Sequence, residues 1–390
     1  MTAGCNPACE RTFHRDVTGP SPTTLMASRV KAIESLSATR TLSTTHRSHT
    51  MKKLLMGLAL LAGTAASAGD LLINGAGATF PAPIYQKWFS EYNKLHPDIK
   101  FNYQAIGSGG GIKQFTEATV DFGASDAPMK DDQIAKVPGV VHIPTVMGAV
   151  VVAYNVPGVT SLRFSPQTLA NIFLGKITKW NDPAVVADNP SAKLSDLAIT
   201  VARRSDGSGT NAIFTDYLSK VSEEFKTKVG SGTSVNWPIG LGGKGNDGVT
   251  GLVKSTPGSI GYVELVYAIQ QKLPTADLKN KDGNWVKASI ESVSAAAATA
   301  DIPADYRVSI TNAPGKDAYP ISGFTWLLVH KDNKDAAKGT AIINFLKWAI
   351  ADGEKLAAPL DYAPLPASVQ QRVLKTIGEL TVNGTKVSAK

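Results

Sequence analysis

The chain has 390 residues, with 40 Lys and Arg against 32 Asp and Glu, 43% hydrophobic and 18% charged residues, and 35 Gly and 22 Pro. That composition excludes collagen, a coiled coil and wholesale disorder, and the length suits about two domains with a sizeable core. The formal net charge of +8 is not a nucleic-acid footprint, because most of the excess lies at the N-terminal end.

Met51-Lys52-Lys53, the apolar run over residues 54–66 and Ala66-Ser67-Ala68 have the basic start, short apolar centre and A-x-A site of a secretory signal. The run is too short for a membrane span, which takes about 20 residues, and Gly69 rather than Cys follows Ala68, so lipid attachment there is excluded. Residues 1–50 are therefore expected to be a disordered upstream extension translated from a misplaced start. Residues 51–68 are the expected signal peptide, cleaved after Ala68, with the product free in the periplasm. The other reading of residues 1–50 is a genuine cytosolic extension. Residues 1–50 hold six Lys/Arg and three Asp/Glu and the signal two Lys, which leaves 32 basic and 29 acidic residues from Gly69 onward. Cys5 and Cys9 fall in the part set aside. The mature product has no disulfide and no thiolate metal site, although an exported chain could have used disulfides.

From residue 71 onward, Val- and Ile-rich runs alternate with helix-period segments, the pattern of an α/β architecture. Residues 71–74 read as a strand, 75–80 as a Gly-rich loop, and Ile84, Trp88, Tyr92 and Leu95 as one face of a helix that stops at His96-Pro97, with Pro81 at its first position. Strand 100–105, loop 106–111 and a helix through Phe115 repeat the unit. A strand over 120–123 runs into Ala124-Ser125-Asp126-Ala127-Pro128. Apolar strands at 147–154 and 324–329 bracket the middle of the chain and predict a two-crossing hinge. Residues 69–150 with 322–390 would form lobe I, and residues 151–321 lobe II.

Three loops share one design, in which a strand ends, small and hydroxyl-bearing residues follow, and a helix begins. They are Gly75-Ala76-Gly77-Ala78-Thr79-Phe80, Gly107-Ser108-Gly109-Gly110, and Arg203-Arg204-Ser205-Asp206-Gly207-Ser208-Gly209-Thr210 before a helix over 212–221. Unpaired N–H groups at a helix start and the helix dipole favour an anion there, while the same residues also serve as plain helix caps. In the third loop Arg204 can meet an oxyanion with a bidentate fork, with donors from Ser208, Gly209 and Thr210. Asp206 is a candidate to hold Arg204 in place, and Arg203 is left to the surface. Asp126 reads either as a cap or turn residue or as an acceptor for a ligand that carries a proton.

Other motifs point elsewhere less well. Gly240-Leu241-Gly242-Gly243-Lys244-Gly245 fits GxGxxG with Glu264 about 20 residues on, but Trp237-Pro238-Ile239 is a poor central strand to precede a dinucleotide site. No P-loop, nucleophile elbow or HExxH spacing occurs, and no catalytic metal or cofactor is expected. His96, His142 and His330 lie at a helix end or on apolar strands, and Trp88, Trp180, Trp237, Trp326 and Trp348 read as core.

Gly75 to Pro83, Asp121-Phe122-Gly123-Ala124-Ser125-Asp126-Ala127-Pro128, the Arg203 to Thr210 loop, and the stretch from Trp237 to Gly248 resemble, in order and over nearly the whole chain beyond the signal, the periplasmic phosphate-binding proteins that serve phosphate ABC transporters. The resemblance implies a two-lobed class II periplasmic-binding-protein fold, each lobe a mixed sheet flanked by helices, closing on one inorganic phosphate. It implies no enzyme activity, a monomer, and delivery to membrane permease subunits coupled to a cytoplasmic ATPase. Carried over by position, the phosphate ligands would be Ala78, Thr79, Phe80, Ser108, Asp126, Arg204, Ser208, Gly209 and Thr210, with Gly109 standing where relatives have a second Ser. Asp126 would accept the phosphate's own proton, which sulfate lacks. The alternatives are a receptor for another tetrahedral oxyanion and an exported phosphohydrolase.

Overall fold

The structure is a computed structural model that describes residues 70–387; the expected upstream extension and signal peptide lie outside them. Eight strands make the main sheet: β1 Leu71–Gly77, β2 Ile99–Ala105, β3 Phe122–Ser125, β4 Val140–Asn155, β5 Thr200–Arg204, β6 Leu241–Gly243, β7 Ser259–Glu264 and β8 Ser322–His330. They lie side by side in the order β2-β1-β3-β8-β4-β7-β5-β6. Strand β1 is parallel to β2 and β3, and β5 is parallel to β6 and β7. The antiparallel strands β4 and β8 separate these two parallel groups.

Strand β4 joins the groups. From Val140 to Ala149 it pairs with β8, and from Val150 to Asn155 it pairs with β7. Every residue from His142 to Tyr154 is buried, which is why the apolar run here is continuous instead of alternating. Each half of the sheet has its own aromatic centre. Phe89 stacks on Phe101 at 5.0 Å and meets Phe122 and Phe345 in the first half. In the second, Phe214 stacks on Tyr262 at 4.2 Å beside Phe173 and Trp237. Burying one such ring is worth about 1.5–3 kcal/mol.

Several element boundaries differ from the sequence expectation, three of them for a common reason. Glycine-rich segments carry no periodicity and read as loop, but pairing can still draw them into a strand or helix. Gly75, Ala76 and Gly77 pair with both β2 and β3, so β1 runs to Gly77. The helix after β2 begins at Ser108 and takes in Gly109 to Gly111, and the helix after β5 begins at Gly209. Pro81 is the residue before the first helix, Ala82–Leu95, and Pro83 lies inside its first turn. The third strand is shifted to 122–125 because Asp121 leaves the ladder: its N–H bonds to the carbonyl of Asn74 and its carboxylate to Asn74 N–H and Lys338 Nζ.

The consequence for function is positional. Four helices, α1 Ala82–Leu95, α2 Ser108–Thr116, α3 Gly209–Val221 and α4 Gly245–Ser255, start where β1, β2, β5 and β6 end. Ligands of open α/β sheets bind outside the carboxyl ends of parallel strands, where such helix N-termini gather.

Candidate functional site

The first loop is tied from behind. Tyr103 donates to the carbonyl of Ala78 at 2.6 Å, Tyr267 to that of Thr79, and Tyr362 to that of Phe80 at 2.7 Å. The N–H of Ala78 donates to Ala124 at 3.0 Å, so both backbone groups of Ala78 are engaged within the protein. Among the described residues the N–H groups of Thr79 and Phe80 have no protein acceptor. With every carbonyl of the loop held, the loop presents donors.

The hydroxyls of the site are pre-oriented in the same sense. Thr79 Oγ1 accepts from the N–H and the side-chain amide of Asn246 at 3.2 and 2.9 Å. Thr210 Oγ1 accepts from the same amide at 3.1 Å, and Ser208 Oγ from the N–H of Asn211 at 3.0 Å. All three side chains are buried. A hydroxyl that already accepts from an N–H keeps its own hydrogen to donate, and an anion is what such hydrogens suit.

Arg204 is the charged member, and only 3% exposed. Its Nε and Nη2 grip Asp206 at 2.8 and 2.5 Å, while the phenol of Tyr262 accepts from its backbone N–H at 3.0 Å. Burial works against ionised Asp206, but the hydrogen bonds and charge of Arg204 and the N–H of Gly245 outweigh it and hold the carboxyl below its ordinary value. Among the described residues the Nη1 of Arg204 is buried with no partner. An unpaired buried donor costs about 1–3 kcal/mol, more when charged, and an oxyanion on this cradle would remove that cost. Arg203, assigned to the surface from sequence, is half-buried instead. Its Nη1 donates to the carbonyl of Arg204 at 3.2 Å, and its Nε has no partner among the described residues.

Ser108 and Asp126 complete the floor. Ser108 Oγ accepts from the N–H groups of Asp126 at 3.1 Å and Gly209 at 3.0 Å. Asp126 is 2% exposed and its Oδ1 accepts from Thr325 Oγ1 at 2.8 Å. Burial pushes its carboxyl up to about 7, against the pull of Thr325, Arg204 and Ser108. Gly209 must be glycine here. A β-carbon on it would sit 2.5 Å from Ser108 Oγ and 2.6 Å from both Asp126 Cβ and Oδ2. Beside it the N–H of Gly109 donates to the carbonyl of Gly207 at 2.9 Å. Loops from the two halves of the sheet thus touch directly.

All nine residues expected from sequence come together at this junction. Sequence reasoning missed Asn246, Thr325 and the three tyrosines. Asn246 follows directly after the GxGxxG stretch, which does run from strand β6 into helix α4; a strand-to-helix start was a usable signal. The helix start is already occupied, because Gly245 N–H donates to Asp206 Oδ1 at 3.0 Å and Asn246 N–H to Thr79. A lone hydroxyl in the apolar run around Thr325 was the other available clue. The expected core role of His142 matches its geometry, since it accepts from the N–H of Met129 at 3.0 Å.

A family model described as a PBP superfamily domain matches residues 45–352. The phosphate-binding protein PstS of Xylella fastidiosa is 47% identical over 305 residues, covering 77% of this chain and 83% of that protein. The PstS of Pasteurella multocida is 46% identical over 328 residues, covering 83% of this chain and 95% of that one. Among solved structures, a high affinity periplasmic phosphate-binding protein bound with phosphate, PfluDING, matches with a TM-score of 0.63 and 21% identity over 78% of this chain and 93% of its own. The fold is the expected two-lobed class II periplasmic-binding-protein fold, a mixed sheet flanked by helices. The chain therefore belongs to the PBP superfamily and, within it, to the PstS family of phosphate-binding proteins.

Proposed function

We propose that this protein captures inorganic phosphate between its two lobes in the periplasm, after export and cleavage behind Ala68, and delivers it as a monomer to the permease subunits of an ATP-driven phosphate importer. The observation that carries this reading is Arg204 Nη1, a buried charged donor without a partner among the described residues, set among hydroxyls whose acceptor sides are already filled. The ligand set is the N–H groups of Thr79, Phe80 and Thr210, the hydroxyls of Thr79, Ser108, Ser208 and Thr210, the outer nitrogens of Arg204 with Nη1 foremost, and Asp126 as acceptor of the ligand's proton; Gly209, its N–H given to Ser108 Oγ, contributes by letting Ser108 and Asp126 approach. Ala78 belongs to the same loop and shapes it, its own polar groups being engaged elsewhere. Because Asp206 offsets Arg204, dipoles and hydroxyls carry most of the recognition.

Lobe I comprises residues 69–150 and 322–390, and lobe II residues 151–321. The support is the change of partner in β4 between Ala149 and Val150, with Ser322 opposite Ala149. Binding without turnover is the reading for this site. Asp126, Ser108 and Ser208 are hydrogen-bonded within the cradle, and the histidines lie in other roles, with His330 stacked on Phe115. A receptor for a proton-free oxyanion would have little use for a buried carboxylate.

The test is isothermal titration of refolded, phosphate-stripped protein from Gly69 onward, first with phosphate and then with sulfate in excess. One tight phosphate site that sulfate does not occupy is expected. No phosphate binding, or equal binding of both anions, would refute the assignment, and release of phosphate from esters would move the protein to the hydrolases.

A further inference from the structure

The two carboxylate oxygens of Asp126 have different company. Oδ1 accepts a 2.8 Å hydrogen bond from Thr325, whereas Oδ2 faces Ser108 Oγ at 3.4 Å, long for a bond between oxygens. Thr325 is fully buried and held in place: its carbonyl accepts from Thr145 Oγ1 at 3.2 Å, and that hydroxyl meets Tyr85 at 2.7 Å. The pairing of β8 with β4 shifts register between Thr325 and Trp326, so that Thr325 lies opposite Val146 and Trp326 opposite Pro144, with Thr145 as the extra residue. Such irregularities re-aim side chains beside functional sites. Here the hydroxyl is aimed at one oxygen of the carboxylate.

We infer that Thr325 is a positioning residue for anion selectivity: by committing Oδ1 as an acceptor it reserves Oδ2 for the ligand's hydroxyl and keeps Asp126 from acting as a donor. The inference rests on the phosphate reading above. A buried carboxyl is pulled toward its neutral form, and a neutral Asp126 would donate to a fully ionised oxyanion and so admit sulfate. The groups around it leave this task to few. Arg204 helps, but its charge is shared with Asp206; Glu264 at the end of β7 is itself pushed well up by burial, and Tyr85, Tyr103, Tyr267 and Tyr362 are all pushed up likewise. Of the influences that hold Asp126 down, the Thr325 hydrogen bond is the largest, ahead of Arg204 and Ser108.

The two anions then respond differently to pH. HPO₄²⁻ brings the proton that the Asp126 carboxylate accepts, so its binding above the Asp126 midpoint takes up none. Sulfate brings no proton, so Asp126 must supply one, and sulfate affinity falls about tenfold for each pH unit above that midpoint. Removing the Thr325 hydroxyl raises the midpoint and moves that fall to higher pH.

The test uses the parent, Thr325→Val and Thr325→Ser, titrated with inorganic phosphate and with sulfate from about pH 6 to pH 9. In Thr325→Val the preference for phosphate over sulfate near pH 8 is expected to drop about ten- to hundredfold, with the sulfate profile displaced upward by about one to two pH units; Thr325→Ser should restore the parent profile. A Thr325→Val protein that binds phosphate with the parent's preference and the parent's sulfate profile overturns the inference. Where Thr325→Val does not fold, Thr325→Ala is read by the same criteria. A ¹³C titration of the Asp126 carboxyl, assigned with Asp126→Asn, separates the two claims. If the parent binds neither anion the phosphate reading fails, yet an upward shift of the Asp126 midpoint in Thr325→Val supports the role of Thr325, and an unmoved midpoint refutes it.

Discussion

Replacing Gly209 by Ala perturbs the contact between the two lobes with little cost inside either one. The added methyl would lie 2.5 Å from Ser108 Oγ and 2.6 Å from Asp126 Cβ and Oδ2, all across the cleft from helix α3. Separating them also stretches the 3.0 Å bond from Gly209 N–H to Ser108 Oγ. Overpacking typically costs about 1–3 kcal/mol and a lost hydrogen bond about 0.5–1.5 kcal/mol. The joint cost of closure is thus about 1.5–4.5 kcal/mol, which weakens phosphate binding about tenfold to a thousandfold. Gly209 opens a helix with an ordinary backbone conformation, so Ala should leave the melting temperature of the phosphate-free protein unchanged or slightly higher. The assay pairs calorimetric titration with thermal unfolding in the absence of phosphate. A dissociation constant within threefold of the parent would refute the contact argument, as would a weakened affinity accompanied by an equal loss of ligand-free stability.

Arg204→Lys keeps a charge but cannot hold Asp206 and also present a second nitrogen, so phosphate affinity should fall by about a hundredfold or more in titration. Asn246→Ala removes the amide shared by Thr79 and Thr210 and the acceptor of the Glu264 N–H; leaving such groups unpaired costs about 1–3 kcal/mol. A melting temperature lower by roughly 2 to 6 °C is expected, together with weaker binding. Glu354 concerns stability alone. Burial pushes its carboxyl from 4.5 up to about 9, so between those values the folded protein keeps a proton that the unfolded chain has released. Its contribution to stability therefore declines as pH rises through that window and levels off above about 9. Glu354→Gln should make the pH dependence of urea unfolding shallower between about pH 6 and pH 8, and an unchanged slope would count against the buried-proton account.

The parts of the fold legible in sequence are those written in local pattern: alternation of apolar runs with helical periods, the strongest runs at β4 and β8, and helix starts after small residues. The site was legible where its chemistry is also local, in the Arg204 to Thr210 stretch and in the loops around Thr79, Ser108 and Asp126. What escaped depends on distant partners. Asn246 meets Thr79 across 167 positions of the chain and Thr325 meets Asp126 across 199, and no spacing rule connects residues so far apart. Arg203 escaped for a related reason. Adjacent arginines look alike in sequence, and only the pleat of β5 sends one into the cradle and leaves the other half-buried beside Gly240 and Gly242.

Strand β4 carries a consequence for how the protein comes apart. Its sixteen residues serve first β8 and then β7, so each lobe borrows part of a single strand for its own sheet. Each segment keeps its own partner, but the two segments are one unbroken strand that changes partner between Ala149 and Val150, so fraying at the end of one carries directly into the other. Heat or denaturant should therefore unfold the two lobes in one cooperative transition, with equal calorimetric and van't Hoff enthalpies.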